Sequence, residues 1–131
     1  MQKKFINPET MPETFGYSHV VEVSNAKRTI YISGQVAINA DGHIVGNEDL
    51  DTQTRQVFEN IKVALEASEL NFNDVVKLTF FLTDISQMAI VRDIRDQYIN
   101  TNNPPASSAV EVNKLINNKL LIEIEAIAVA N

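Results

Sequence analysis

The fold is decided by the C-terminal stretch Leu120-Leu121-Ile122-Glu123-Ile124-Glu125-Ala126-Ile127-Ala128-Val129, which follows Pro104-Pro105-Ala106-Ser107-Ser108-Ala109-Val110-Glu111-Val112 after a polar turn. Successive side chains of a strand point to opposite faces. One face of the later run is therefore wholly apolar, and the other sets Glu123 and Glu125 between apolar residues. The pattern predicts two strands with a tight connection, and it places two carboxylates where apolar neighbours favour general acid-base chemistry.

Shorter alternating runs nearer the N-terminus predict further strands. Residues 17–23 and 29–33 flank Asn25-Ala26-Lys27 and are typical of a hairpin. Val36-Ala37-Ile38 and His43-Ile44-Val45 flank an Asp-Gly turn, which indicates a third strand. Residues 1–16 hold three turn-forming residues, Pro8, Pro12 and Gly16, and are interpreted as an extended arm or loop.

Two helical patterns enclose a strand in the middle of the chain. Val57, Ile61 and Leu65 recur on one helical face, and we expect Asp51 or Thr52 to cap this helix and Leu70 to end it. Residues 75–83 alternate as a central strand. A second helix follows Asp84-Ile85-Ser86-Gln87, with a buried stripe of Met88, Ile90, Val91, Ile94 and Tyr98.

These elements predict an α+β fold with the order βββαβαββ, in which a mixed six-stranded sheet carries two helices on one face. At 131 residues, with 44% hydrophobic residues, the chain is expected to be one domain, residues 1–131. Two helices cover only one face of such a sheet. We therefore expect another copy of the chain to cover the other face.

Composition narrows the functions that the chain can have. No apolar run reaches the roughly 18 residues of a membrane span, and the N-terminus lacks the apolar core of a secretory signal, which predicts a cytoplasmic protein. The absence of cysteine excludes thiolate catalysis and cysteine-ligated metals. His19 and His43 are far apart in sequence and are interpreted as surface or strand-edge residues. A net charge of −6, with scattered basic residues, disfavours nucleic acid as a partner.

The frame Pro-Ala-x-Ser-x-Val-Glu-Val, followed about ten residues later by Ile-Glu-Ile-Glu-Ala-Ile-Ala, resembles the C-terminal signature of the RidA/YjgF (Rid) family. The resemblance extends over nearly the whole chain. It implies a chorismate-mutase-like fold and a homotrimer with ligand clefts between subunits. It also implies hydrolysis of imines and enamines to 2-keto acids and ammonia, with no cofactor and no metal.

The resemblance also implies site residues, each of which has a structural alternative. Glu123 matches the glutamate that acts on the attacking water, whereas Glu125 matches a position with no such role; alternatively, both lie on a wet sheet face. Tyr17 matches the cleft tyrosine, although the usual Gly-Pro-Tyr is Phe15-Gly16-Tyr17 here, and is otherwise an ordinary strand aromatic. Ser33 and Gly34 match a turn that lines the cleft, and otherwise mark a strand bulge.

One position departs from the pattern of the family's deaminases. Ser107 stands where they carry an arginine that holds the substrate carboxylate. A guanidinium grips a carboxylate with two hydrogen bonds, whereas a serine hydroxyl offers one neutral donor. Arg92, at a position near the cleft in the family, is a candidate replacement. Its alternative is a solvent-facing residue that pairs with Asp96 four positions on.

Three functions follow from these observations. The sequence favours a hydrolase that deaminates an imine or enamine, with weak activity on 2-imino acids because the arginine is absent. The first alternative is a trimer that binds a small metabolite or a partner without catalysis. The second is an endoribonuclease or translation inhibitor, as some family members are described, which the negative charge disfavours.

Overall fold

The computed structural model describes residues 1–131 and has the predicted α+β class. Its order, βββαβαββ, is also the predicted one, although the first three strands are not the three that were predicted. The strands and helices are β1 (Gln2–Ile6), β2 (Val20–Ser24), β3 (Arg28–Val36), α1 (Leu50–Glu66), β4 (Val75–Leu82), α2 (Met88–Arg95), β5 (Ala106–Glu111) and β6 (Ile122–Ala130). Neither helix is both long and apolar enough to cross a membrane. The fold class is thus confirmed, and the differences lie in how the strands pair.

The strands form two sheets rather than one continuous six-stranded sheet. Four strands pair in the order β3-β6-β4-β5, and β1 pairs with β2 alone. β4 and β5 are parallel, while β6 is antiparallel to both β3 and β4, so the larger sheet is mixed as predicted. A single parallel bridge, Ser18 to Ala106, links the two sheets. On the N-terminal side of Ala106, Pro104 and Pro105 have no amide hydrogen to donate to a longer ladder.

Two predicted hairpins are wrong. β4 lies between β5 and β6, so these two strands are not neighbours. The ten residues 112–121 that join them can span the roughly 10 Å across β4 easily, since an extended chain advances about 3.3 Å per residue. Likewise β2 pairs with β1, and β3 pairs with β6, so residues 17–33 do not fold back on themselves. Sequence alternation identified strands but not their partners.

The N-terminal arm and the third predicted strand also differ from expectation. Residues 2–6 are a strand, not a loop, with Lys3 and Phe5 half-buried between exposed neighbours. Val36 is the last residue of β3, and residues 37–45 contain only one isolated bridge, Ile38 to Ile44. Asn60 Nδ2 donates to the carbonyls of Val36 and Ile38, which diverts these acceptors from a ladder.

Helix α1 buries the predicted stripe but has different ends. Val57, Ile61 and Leu65 are buried against the sheet. Asp49 is the N-cap, not Asp51 or Thr52, because its carboxylate accepts hydrogen bonds from the hydroxyl and the amide of Thr52. The same bonds lower the pKa of Asp49. The helix ends at Glu66, four residues earlier than predicted.

Helix α2 has a rotated buried face. A one-turn 3₁₀ helix over Ile85–Gln87 precedes it, and Asp84 caps that turn by accepting from the Ser86 amide. The extra turn shifts the helical phase, so Ile90 is 38% exposed instead of buried. The buried residues are Met88, Val91, Ile94 and Arg95. An arginine therefore lies on the inner side of this helix.

An aromatic cluster fastens the end of α2 to α1. Phe58 is fully buried and stacks on Tyr98, with ring centroids 4.9 Å apart. Phe72 and Phe80 contact the same phenyl ring at 6.0 and 6.4 Å. The Tyr98 hydroxyl donates to Glu59 Oε2 at 2.7 Å. Burial and this hydrogen bond raise the pKa of Tyr98 to about 12.

Replacing Tyr98 with Phe is expected to lower the free energy of unfolding by about 1 kcal/mol at neutral pH, since it removes one hydrogen bond and keeps the stacking. The raised pKa favours the protonated phenol in the folded state. The stabilisation is therefore complete below the unfolded pKa of about 10 and is lost as the pH rises to about 12. Urea unfolding of both proteins across this range should show a decline in the wild type that Tyr98→Phe lacks. Val63→Ala, at a side chain of α1 that is 66% exposed, leaves Tyr98 and Glu59 in place; it is the control and should keep the decline.

Candidate functional site

A surface pocket lies between α2 and β5. It has a volume of about 520 Å³ and is called the α2 pocket here. Its walls come from the segment before β2, from the inner side of α2 and from the start of β5: Phe15, Tyr17, Met88, Arg92, Arg95 and residues 107–109. Three of the predicted site residues, Tyr17, Arg92 and Ser107, therefore share one cavity.

Ser18 fixes the Tyr17 wall of the α2 pocket. Its amide donates to the carbonyl of Pro105 at 3.1 Å, and its hydroxyl donates to the carbonyl of Pro104 at 2.7 Å. The Tyr17 ring meets the His19 ring edge-on, with centroids 5.7 Å apart. His19 Nε2 in turn lies 2.7 Å from the carbonyl oxygen of Pro12. The segments that carry Tyr17 and Ser107 are thus joined directly by hydrogen bonds.

Arg92 lines the α2 pocket and makes no ion pair or side-chain hydrogen bond within the chain. The alternative interpretation, an ion pair with Asp96, is wrong. Asp96 Oδ1 instead accepts from Nε of Arg95 at 3.0 Å. The Arg92 guanidinium is consequently available to a ligand.

Sequence analysis did not identify Arg95 as a site residue. Its side chain is only 5% exposed, yet it lines the α2 pocket. Gly16 makes room for it, because a Cβ added at Gly16 would overlap the guanidinium. The available signal was the spacing: residues three apart lie on the same helical face, so Arg95 follows Arg92 toward the pocket.

Glu123 and Gly34 meet at a bulge in β3. The β3–β6 register shifts between Ile32 and Gln35, which confirms the bulge considered for Ser33 and Gly34. The Glu123 carboxylate packs directly on Gly34, where an added Cβ would overlap it. Its neighbours across the strands are Val36 and Phe81, and the carboxylate has no hydrogen-bond or ion-pair partner in the chain. A half-buried carboxylate between apolar side chains is therefore free to bind water.

Ser33 lies in a second pocket of about 310 Å³ on the sheet face that the helices leave uncovered. Tyr31, Lys77, Thr79, Glu125 and Ile127 also line this sheet pocket. Glu123 lines neither pocket. Within one chain the predicted site residues thus form two groups, one in the α2 pocket and one at the β3 bulge. No three His, Asp or Glu side chains lie close enough together to hold a metal ion.

Comparisons with known proteins identify this architecture. The structure resembles that of YyfB, a protein of the conserved Rid protein family from Yersinia pestis, with a TM-score of 0.86, 40% identity, and coverage of 98% of this chain and 99% of that one. The fold is thus that of the small α+β proteins of the Rid and YjgF type. The family model described as Endoribonuclease L-PSP matches residues 9–130. The chain belongs to this RidA/YjgF (Rid) family.

Two curated relatives show the range of names within the family. A RutC family protein of Pyrococcus horikoshii is 39% identical over 127 residues, which span 96% of this chain and 97% of the relative. A protein of Dermatophagoides farinae named 2-iminobutanoate/2-iminopropanoate deaminase is 31% identical over 128 residues, 97% of this chain and 96% of the relative. Family membership is therefore shown across the whole chain, and a deaminase is among the relatives.

Proposed function

We propose that this chain forms a homotrimer that hydrolyses the carbon–nitrogen bond of imines or enamines in clefts between subunits. The observation that carries the proposal is the unpartnered Glu123 carboxylate beside Gly34, on a part of the surface separate from the α2 pocket. The α2 pocket holds Tyr17, two arginines and two serines but no carboxylate that could act as a base. A neighbouring subunit that brought its Glu123 to this pocket would supply the missing group.

The uncovered sheet face supports assembly through this surface. Tyr31 is 77% exposed there, beside the half-buried Ile127, and the half-buried Phe81 lies further along the same face. Exposed apolar surface of this kind marks a protein–protein interface. A cyclic trimer gives every copy the same two contacting surfaces, so it would create three equivalent clefts.

The proposed reaction consumes one water and needs no cofactor. The water oxygen bonds to the imine carbon while Glu123 accepts its proton, and the C=N electron pair moves to nitrogen. Glu123 returns that proton to the nitrogen, which gives a carbinolamine with one hydroxyl and one amino group. The hydroxyl proton then passes by way of Glu123 to the nitrogen, the oxygen lone pair forms the C=O bond and the C–N bond breaks, so that ammonia leaves and a 2-keto acid forms. Tyr17, Ser33 and Gly34 would contact the substrate, and Arg92 and Ser107 would line its carboxylate end.

The experiment for this proposal measures keto acid released from an enzymatically generated 2-imino acid, with semicarbazide competing for the imine. The protein should raise the release rate above the spontaneous rate. We expect it to be slower than an arginine-bearing relative by roughly tenfold or more, because a neutral hydroxyl at Ser107 replaces a charge-assisted bidentate bond. A rate equal to the relative's would show that Ser107 carries no penalty, and no acceleration would contradict hydrolysis.

A second candidate function, binding without turnover, is favoured by Ser107. Loss of the strand arginine on a retained scaffold is typical of a protein that has kept a cleft but changed its ligand. Thermal stabilisation by a 2-keto acid without any imine hydrolysis would support this function. Hydrolysis that depends on Glu123 would contradict it.

A further inference from the structure

The buried Arg95 guanidinium has more donors than partners. Its Nε donates to Asp96 Oδ1 at 3.0 Å, and its two terminal amino groups make no hydrogen bond in the chain. Every side-chain nitrogen that is fully shielded from solvent has a hydrogen-bond partner. Because the two terminal amino groups of Arg95 have none, they are not fully shielded and remain accessible from the pocket. They are thus unsatisfied hydrogen-bond donors on a side chain of which only 5% is exposed.

A guanidinium in this position lowers the stability of the fold unless an anion pairs with its charge and accepts its hydrogen bonds. A charge withdrawn from water needs a paired and hydrogen-bonded partner. Asp96 supplies one carboxylate oxygen, and its own side chain is 45% exposed, so the pairing is partial. The planar fork of the amino groups fits the two oxygens of a carboxylate.

The loop opposite α2 is shaped around Arg95. Gly16 has φ +77, and an added Cβ would lie within van der Waals overlap of Nη2 and Cζ. Only glycine allows both this backbone conformation and this close approach. The loop thus holds the guanidinium in one orientation against the pocket.

The rest of the lining is also suited to an anion. Arg92 lies one helical turn before Arg95, is exposed, and has no ion-pair partner. Ser107 and Ser108 add hydroxyl groups, and no aspartate or glutamate lines the pocket. In a chain with net charge −6, this is a local concentration of positive charge.

We propose that Arg95, assisted by Arg92, binds the carboxylate of the ligand from α2 and so takes over part of the role of the arginine that the strand position Ser107 lacks. The inference rests on the proposed function for the identity of the ligand, a 2-imino acid or its 2-keto acid product. The anchor approaches from the helix instead of the strand. The protein therefore selects anionic substrates although Ser107 is neutral.

The test measures binding of 2-oxobutanoate by titration calorimetry, with the uncharged 2-oxobutanamide and inorganic phosphate as comparison probes. The wild type should bind the carboxylate more tightly than either probe. Arg95→Lys, which keeps the charge but loses the fork, should weaken 2-oxobutanoate binding roughly tenfold to a hundredfold, and Arg92→Gln roughly tenfold. Both variants should bind the amide as the wild type does.

Glycine variants test the same anchor without altering an arginine. Gly16→Ala pushes the guanidinium away and should weaken 2-oxobutanoate binding as Arg95→Lys does. Gly42→Ala is the matched control, because Gly42 has φ +83 and nothing lies within 4 Å of an added Cβ. It carries the same backbone cost and should bind like the wild type. In an Arg95→Met background, Ser107→Arg should restore binding from the strand side.

Several results would overturn the anchor. They are wild-type affinity in both Arg95→Lys and Gly16→Ala, equal affinity for the acid and the amide, tighter binding of phosphate, or no binding of 2-oxobutanoate by the wild type. Imine hydrolysis, assayed in the same preparations, separates this outcome from failure of the proposed function. Specific 2-oxobutanoate binding without hydrolysis would overturn the function and leave the anchor supported. Hydrolysis by the wild type, with 2-oxobutanoate binding unchanged in the variants, would support the proposed function and overturn the anchor.

Discussion

Replacing Glu123 with Gln is expected to reduce imine hydrolysis by roughly 10²- to 10⁴-fold, the usual contribution of a positioned general base. The amide has nearly the same shape as the carboxylate but cannot accept a proton from water. Glu123 makes no hydrogen bond or ion pair in the chain, so the substitution removes none and keeps the packing of the side chain on Gly34. The keto acid release assay should show the loss in kcat, with the free energy of unfolding unchanged.

Glu125→Gln is the matched control for this substitution. Glu125 lies two residues further along the same face of β6 and is exposed. Glu125 carries the same carboxylate group and lies on the same strand as Glu123, but it does not contact Gly34. Activity within about twofold of the wild type is expected for it. Equal losses in the two variants would show that the sheet face matters only through its charge.

Gly34→Ala should cause part of the loss of imine hydrolysis expected for Glu123→Gln, because it moves the Glu123 carboxylate without changing its chemistry. The added methyl group would occupy the space of the Glu123 carboxylate and turn it away from its present position. Gly34 does not have a positive φ, so its backbone accepts alanine without strain. If Gly34→Ala hydrolysed imines at the wild-type rate, the present position of the carboxylate would not be the catalytic one.

Phe58→Ala is expected to lower the free energy of unfolding by about 3 to 5 kcal/mol, which is the range for removal of a fully buried phenyl ring. Phe58 is completely inaccessible to solvent and joins α1 to Phe80 of β4. It also carries the stacked ring of Tyr98 beyond the end of α2. Urea unfolding monitored by circular dichroism measures the loss.

Val63→Ala on the same helix is the control for Phe58→Ala. Val63 is 66% exposed, so its truncation should change stability by less than about 0.5 kcal/mol. A similarly small effect at Phe58 would mean that the aromatic cluster is not a part of the core on which folding depends. A large effect would also loosen the support of α2, and with it the positions of Arg92 and Arg95.

The elements that could be predicted from sequence are those with a single clear period. The alternation of Ile122, Ile124 and Ala126 and the helical spacing of Val57, Ile61 and Leu65 state directly which side is buried. Strand partners could not be predicted this way. Nothing in residues 20–24 indicates that β2 pairs with residues 2–6 instead of β3. The partner of a strand depends on the path of the chain in space, which contacts between distant residues, such as the hydrogen bond from Ser18 to Pro105, determine.

The candidate site shows the same division. Tyr17, Arg92 and Ser107 were predicted as site residues, and the structure places all three around the α2 pocket, although their roles stay predictions. Arg95 was missed because the helical phase depends on the 3₁₀ turn at Ile85–Gln87, which rotates Arg95 inward and Ile90 outward. The three-residue spacing relates Arg95 to Arg92, but whether their shared side of the helix turns inward depends on this rotation, which periodicity alone does not reveal.

The double hydrogen bond from Ser18 to the proline carbonyls has a kinetic consequence. Because it ties the loop that bears Tyr17 to the start of β5, these two walls of the α2 pocket form one rigid unit. Ligand binding then loses little conformational entropy from either wall. Any movement that admits or releases a ligand then falls to α2, so the rates of entry and exit will depend on the mobility of this helix more than on the loop.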